Sequence, residues 1–142
     1  MAIYDSTQTN ESQRSSRIYK DLNLDFQINS ATKDIQKITD IEAVKRSVRN
    51  LVLLDPYEKP FHPEIAGGIR GLLFELMSPF TAQQIAKKVE DVINNFEPRA
   101  RLVTVRANPD LDRNAYDVTV EFYVVNAPTE LVDLTVMLER LR

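Results

Sequence analysis

Glu97-Pro98-Arg99 is the polar triplet of this 142-residue chain whose spacing most constrains its chemistry. Proline fixes its own φ and drives the preceding residue toward an extended conformation, which sets the pair at a junction between a helix and a strand. In an extended chain, residues two apart project to the same side, so the two charges are expected to form one exposed recognition unit. Its guanidinium can clasp a partner's carboxylate or backbone carbonyls in a fork, while its carboxylate accepts N–H groups. The alternative is a helix stop followed by ordinary surface charges.

A second candidate is main-chain chemistry. Leu131, Val132, Leu134, Val136 and Leu138 belong to a strand of high β propensity near the chain end, and Leu131 and Met137 carry apolar character onto its polar side. Asp133 is the charge that interrupts it, whereas an exposed edge is normally blocked by charge or proline. Such an edge could accept a strand from another chain by β-augmentation. A covered or internal strand is the other reading, and the sequence leaves both open.

Catalytic chemistry is harder to place. The chain has no Cys, one His and a formal charge of −3, which excludes disulfides, thiolate nucleophiles, Cys-ligated metals and multi-His sites. His62, between Phe61 and Pro63, has no evident base partner in the sequence and reads as structural. Phosphate-loop, dinucleotide-binding, zinc-protease and nucleophile-elbow motifs are absent. Paired carboxylates are the one enzyme class left. A glycosidase needs two acids roughly 5 to 10 Å apart, one with a raised pKa, and Glu58, Glu64, Glu75 and Glu97 each neighbour proline or apolar residues. Most such acids are simply solvated. The mild acidity argues against a nucleic-acid footprint. No apolar run approaches the roughly 20 residues of a membrane span, and residues 1–20 lack a signal-peptide stretch, so folding in a cytoplasm is expected.

The elements that must hold these residues follow from periodicity. Residues 1–20, rich in Ser, Thr, Gln and Asn, are expected to be a flexible arm, with Tyr4 and Tyr19 as anchors should it order on a partner. Leu22, Leu24, Phe26 and Ile28 alternate with polar residues and predict a half-buried strand, followed by a turn over 29–33. Thr39 and Glu42 have capping-box spacing, and Ile41, Val44, Val48, Leu51 and Val52 follow as the apolar stripe of a helix stopped by Pro56. A stiff loop with three prolines covers 55–63. Ile69, Leu72, Leu73, Phe74 and Leu76 suggest a short buried helix. A further capping box at Thr81 and Gln84, with a Phe80–Ile85 staple, starts a helix whose face is Ile85, Val89, Val92, Ile93 and Phe96. Three strand-like runs, over 102–107, 116–124 and 132–138, are joined by short Asn-, Asp- and Pro-containing links and should form an antiparallel meander. The prediction is one α+β domain over 21–142, with a sheet of about three to four strands packed on two to three helices.

In order and spacing, Asn29, Asp34-Ile35, Asp40, Ala43-Val44-Lys45-Arg46-Ser47-Val48, Asn50-Leu51, the loop from Glu58 to Pro63, Leu72-Leu73-Phe74-Glu75 and Glu97-Pro98-Arg99 together resemble a known family. This is the baseplate wedge proteins of contractile phage tails, which include the related baseplate subunit of type VI secretion systems. The resemblance covers roughly residues 22–138. The chain departs from the family pattern at Tyr57, often Gly, and over Ile65-Ala66-Gly67-Gly68, more usually an aromatic-Gly-Cys run; both bear on loop shape.

The resemblance implies a structural role as sheath initiator, in the virion tail baseplate and assembled in the host cytoplasm. Glu97, Pro98 and Arg99 match the family's signature motif, which contacts the helical core bundle of other wedge proteins. The C-terminal strands, with Leu131, Val132, Leu134, Val136 and Leu138, become the edge that meets the tail sheath protein. No catalytic residue, metal, cofactor, small-molecule substrate, nucleic acid or membrane is implied. Members have also been called lysozyme-like, so a peptidoglycan glycosidase of the tail is the enzyme alternative. Against it, a permanent cation two residues from Glu97 would lower that carboxyl's pKa, opposite to the need of a general acid.

Overall fold

The structure, a computed structural model, describes residues 19–140. The predicted arm therefore falls outside the described residues up to position 18, Tyr4 included. Tyr19 and Lys20 are within them, and Lys20 opens the first strand. The elements run β1 (Lys20–Leu22), β2 (Lys37–Thr39), α1 (Asp40–Leu53), a 3-10 turn (Arg70–Phe74), α2 (Pro79–Phe96), β3 (Ala100–Asp110), β4 (Ala115–Val124) and β5 (Ala127–Glu139).

The α+β class and the meander are as the sequence predicts. β3, β4 and β5 form an antiparallel sheet in that order, while β1 and β2 pair separately as a short antiparallel ribbon. Along β4 the burial alternates strictly, with Tyr116, Val118, Val120, Phe122 and Val124 turned into the core and Asp117, Thr119, Glu121 and Tyr123 turned away. Their partners on β5 obey the same period, since Val132, Leu134, Val136 and Leu138 are buried opposite Phe122, Val120, Val118 and Tyr116. Against this face pack Val44, Val48 and Val52 of α1 and Ile85, Val89 and Ile93 of α2. The predicted helical stripes are thus the faces that close the core.

Four local expectations fail for physical reasons. The period-two run Leu22, Leu24, Phe26, Ile28 is not a half-buried strand: all four are exposed, Phe26 at 69%. Asn23 is instead buried, its side-chain oxygen accepts the Asp25 N–H at 3.0 Å and its carbonyl accepts that of Phe26 at 3.0 Å. This local Asx turn, with Phe26 at φ 52°, bends the chain before a ladder can extend. At α1, Thr39 is the N-cap, but its side chain makes no cap hydrogen bond; the helix entry is tied by the Asp40 N–H, which donates to the Tyr19 carbonyl at 2.8 Å. In the 3-10 region Ile69, Leu72 and Leu73 are buried but Phe74 and Leu76 are exposed, because five residues of 3-10 helix present only one narrow face to the core.

At α2 the cap lies three residues earlier than predicted. Ser78 Oγ accepts the Thr81 N–H at 3.1 Å, and Pro79 takes the first helical position, where its missing N–H costs nothing. Thr81 instead donates its hydroxyl to the Leu76 carbonyl at 2.8 Å, and exposed Phe80 makes no staple with buried Ile85.

Candidate functional site

α2 ends where Glu97 leaves the helical conformation at φ −124°, ψ 78°, as the residue before proline must. Its N–H still donates to the Ile93 carbonyl at 2.9 Å, while the Ala100 N–H donates to the Glu97 carbonyl at 3.1 Å, so the motif is pinned from both sides. The Arg99 carbonyl accepts the Val125 N–H at 3.0 Å, which holds the β4–β5 turn against it.

Glu97 and Arg99 do project to the same side, but inward. Glu97 is 3% exposed, so the pair is not the exposed recognition unit expected from its spacing. Arg99 Nε donates to Glu97 Oε1 at 2.7 Å and Nη2 to Oε2 at 3.0 Å, a parallel fork. The Ser47 hydroxyl of α1 also donates to Oε2. Beyond the fork, Arg99 Nη1 donates to Asp21 Oδ2 at 3.2 Å, and the guanidinium carbon lies 5.6 Å from the centre of the Tyr19 ring. One cation therefore fastens the N-terminal ribbon to the helix–strand junction, and one carboxylate fastens that junction to α1.

Electrostatics follow from these contacts. Burial alone would raise the Glu97 pKa, but the hydrogen bonds from Arg99 and Ser47 and the charge of Arg99 outweigh it and hold the carboxyl below its ordinary value. The hydrogen bonds from Arg99 to Glu97 likewise push the guanidinium pKa further up, so both groups stay charged.

The other candidates lie elsewhere. His62 does have a partner, Glu64 at 3.0 Å, on an exposed loop. The Glu64 carboxyl is held low, first by its own backbone N–H and then by His62. Glu58 accepts the Asp55 N–H at 2.9 Å and serves as a loop cap. Among the described residues no group of three His, Asp or Glu is placed to hold a metal ion, and no helix is long and apolar enough to cross a membrane.

β5 ends the three-stranded sheet on one side and β3 on the other. Val103 is an extra residue in β3 between the pairs Leu102–Phe122 and Thr104–Glu121, and Pro109 removes a donor, so that edge is interrupted. Along β5 the register runs unbroken from Leu131 to Glu139. Of the predicted edge residues, Val132, Leu134, Val136 and Leu138 bury their side chains, and Leu131 is 48% exposed on the outer face with Met137. What β5 offers sideways is its backbone.

Residues 39–129 match the family described as baseplate wedge protein gp25. The chain belongs to this family. It is 25% identical over 122 residues to the baseplate wedge protein gp25 of Enterobacteria phage T4, covering 86% of this chain and 92% of that one. Its fold is similar to a putative tail lysozyme from Geobacter sulfurreducens, with a TM-score of 0.64 and 22% identity over 71% of this chain and 91% of that one. It is also similar to a chain of the anti-feeding prophage baseplate, with a TM-score of 0.61 and 20% identity over 88% of each. As a gp25-family member it is a structural wedge component of a contractile-tail baseplate, and its partners include other baseplate proteins. The sequence named Glu97 and Arg99, and Tyr19 as an anchor of the arm, but gave Ser47 and Asp21 no part in the site. Ser47 alone left a signal, a hydroxyl three residues after Val44 and next to Val48 on an apolar stripe.

Proposed function

We propose that this wedge protein docks on a helical bundle of neighbouring wedge proteins through the Arg99 end of its sheet and offers the backbone edge of β5 to a strand of the tail sheath. It does so in the virion tail baseplate, after assembly in the host cytoplasm, with no catalysis, cofactor or nucleic acid involved. The observation that carries the reading is the uninterrupted β5 edge from Leu131 to Glu139, with Val132, Leu134, Val136 and Leu138 already committed inward. An incoming strand can then form a main-chain ladder without displacing core residues, and a repeated ladder can template successive rings.

The test uses proline. N–H groups of successive strand residues point to opposite edges, so one of Thr135 and Val136 directs its N–H away from β4. Thr135→Pro and Val136→Pro are compared by thermal melting, and the one that stays folded has lost only an outward donor. Baseplates assembled with that variant are expected to carry no sheath. Normal sheath on them removes the β5 edge from the proposal.

A glycosidase is the second reading, favoured by the fold similarity to a chain called a putative tail lysozyme. The charges oppose it. A general acid needs a raised pKa, whereas Glu97 and Glu64 are both held low by their donors. Turbidity of a peptidoglycan suspension is expected to stay constant with purified protein; clearing that a single Glu→Gln substitution abolishes would establish the enzyme.

A further inference from the structure

Glu97 and Arg99 have different surroundings, and the difference assigns them different tasks. Both Glu97 oxygens are occupied from within the chain, by Arg99 and Ser47, and the side chain is buried. No partner reaches it without unmaking the junction. Arg99 is 25% exposed, and the group on its open side is Asp21, itself 38% exposed and held by the longer contacts of 3.2 and 3.5 Å. Tyr19 covers the guanidinium beside it. We propose that Asp21 occupies, in the free protein, the position on Arg99 that a carboxylate of the wedge partner takes on docking. Glu97 is then a positioning residue that aims the fork, Arg99 is the contact residue, and the ribbon segment at Tyr19 and Asp21 is displaced.

Charge supplies the reason for displacement rather than addition. Glu97, Asp21 and Arg99 sum formally to −1, so a third carboxylate entering an unchanged cluster would meet net repulsion in a partly desolvated site. Exchange of one acid for another keeps the balance. The internal acid is poised to leave, because it is bound through one guanidinium nitrogen while Glu97 holds two. β1 is also only three residues long, so little pairing is lost with it.

This inference rests on the docking reading, and the experiment separates the two. The full chain and its variants are titrated against the other wedge proteins of the same tail, co-expressed as a complex. Asp21→Asn, which weakens the internal competitor, is expected to lower Kd by about two- to fivefold, the scale of a half-exposed ion pair. Hydrogen exchange over residues 19–22 is expected to quicken in the complex. Arg99→Lys, which keeps a cation beside Glu97 but loses the fork, is expected to abolish binding. Its melting temperature falls because the buried carboxylate loses paired donors, and circular dichroism at the titration temperature is expected to show it still folded. Weaker or unchanged binding by Asp21→Asn, or slower exchange over 19–22, overturns the displacement while leaving Arg99 as a contact. Unimpaired binding by Arg99→Lys and Arg99→Ala sinks the docking reading itself.

Discussion

Ser47 is the smallest group in the polar clip and the most informative to remove. Its hydroxyl donates to an ionised, buried oxygen of Glu97, and hydrogen bonds to charged acceptors are each worth about 1.5–3 kcal/mol. Ser47→Ala should cost about 1.5 kcal/mol, at the low end because Arg99 still holds the carboxylate, and would be read from the urea midpoint at neutral pH. Acid tests the same clip. Glu97 titrates below its ordinary 4.5 in the folded protein, so its contribution is complete above that value and drains as pH falls through the lower folded one. Urea midpoints taken between about pH 6 and pH 2 should therefore decline on the acid side, and Glu97→Gln should flatten part of that decline while lowering stability at neutral pH. The sequence placed Glu97 and Arg99 on one side because that depends only on the local chain. It could not tell inward from outward, since the deciding partners, Ser47 and Asp21, lie 50 and 78 residues away.

At the scale of elements, the long amphipathic pieces were legible and the starts were not. α1, α2, β4 and β5 bury most of the residues their periods select, because a one-faced pattern sustained over several turns or pleats has one way to satisfy the core. β3, whose run over 102–107 has no such period, buries only Ala100. Starts depend on single hydrogen bonds. Ser78 and Thr81 both have capping chemistry, and Pro79 favours Ser78 because its fixed φ and missing N–H suit the first position after a cap. Ser78→Ala should lower stability by about 1 kcal/mol and the melting temperature by about 3–5 °C, whereas Gln84→Ala, at the supposed third position of the box, should change neither measurably. The ribbon supplies the converse case. Leu22 to Ile28 alternates as a buried strand would, yet buried Asn23 turns the chain out. Phe26→Ser is accordingly expected to leave the urea midpoint within about 0.5 kcal/mol of the parent, whereas Phe122→Ala, in the core of β4, should cost about 3–5 kcal/mol.

Across the whole molecule, the sheet separates the two proposed contacts. The motif adjoins the end where Ala100 pairs with Val124, and the β4–β5 turn closes over it through the Val125–Arg99 bond. Thr135 pairs with Thr119, five residues along β4 from that end, which is about 16 Å along the strand, and it lies two strands, about 10 Å, across from β3. Sites that far apart with no shared partner are expected to act independently. If Arg99 docks the wedge and β5 receives the sheath, the two losses must therefore appear at different steps. The folded proline variant should enter the baseplate in normal amount and stop assembly at the first sheath ring, while Arg99→Lys should never enter the baseplate at all. Combining them should give the Arg99→Lys outcome, with a melting temperature shift equal to the sum of the single shifts. Quantifying this chain in purified baseplates, beside negative-stain images of sheath, distinguishes the cases. A proline variant that is itself excluded from the baseplate would mean that β5 faces the wedge rather than the sheath, and would reverse the proposed orientation of the sheet.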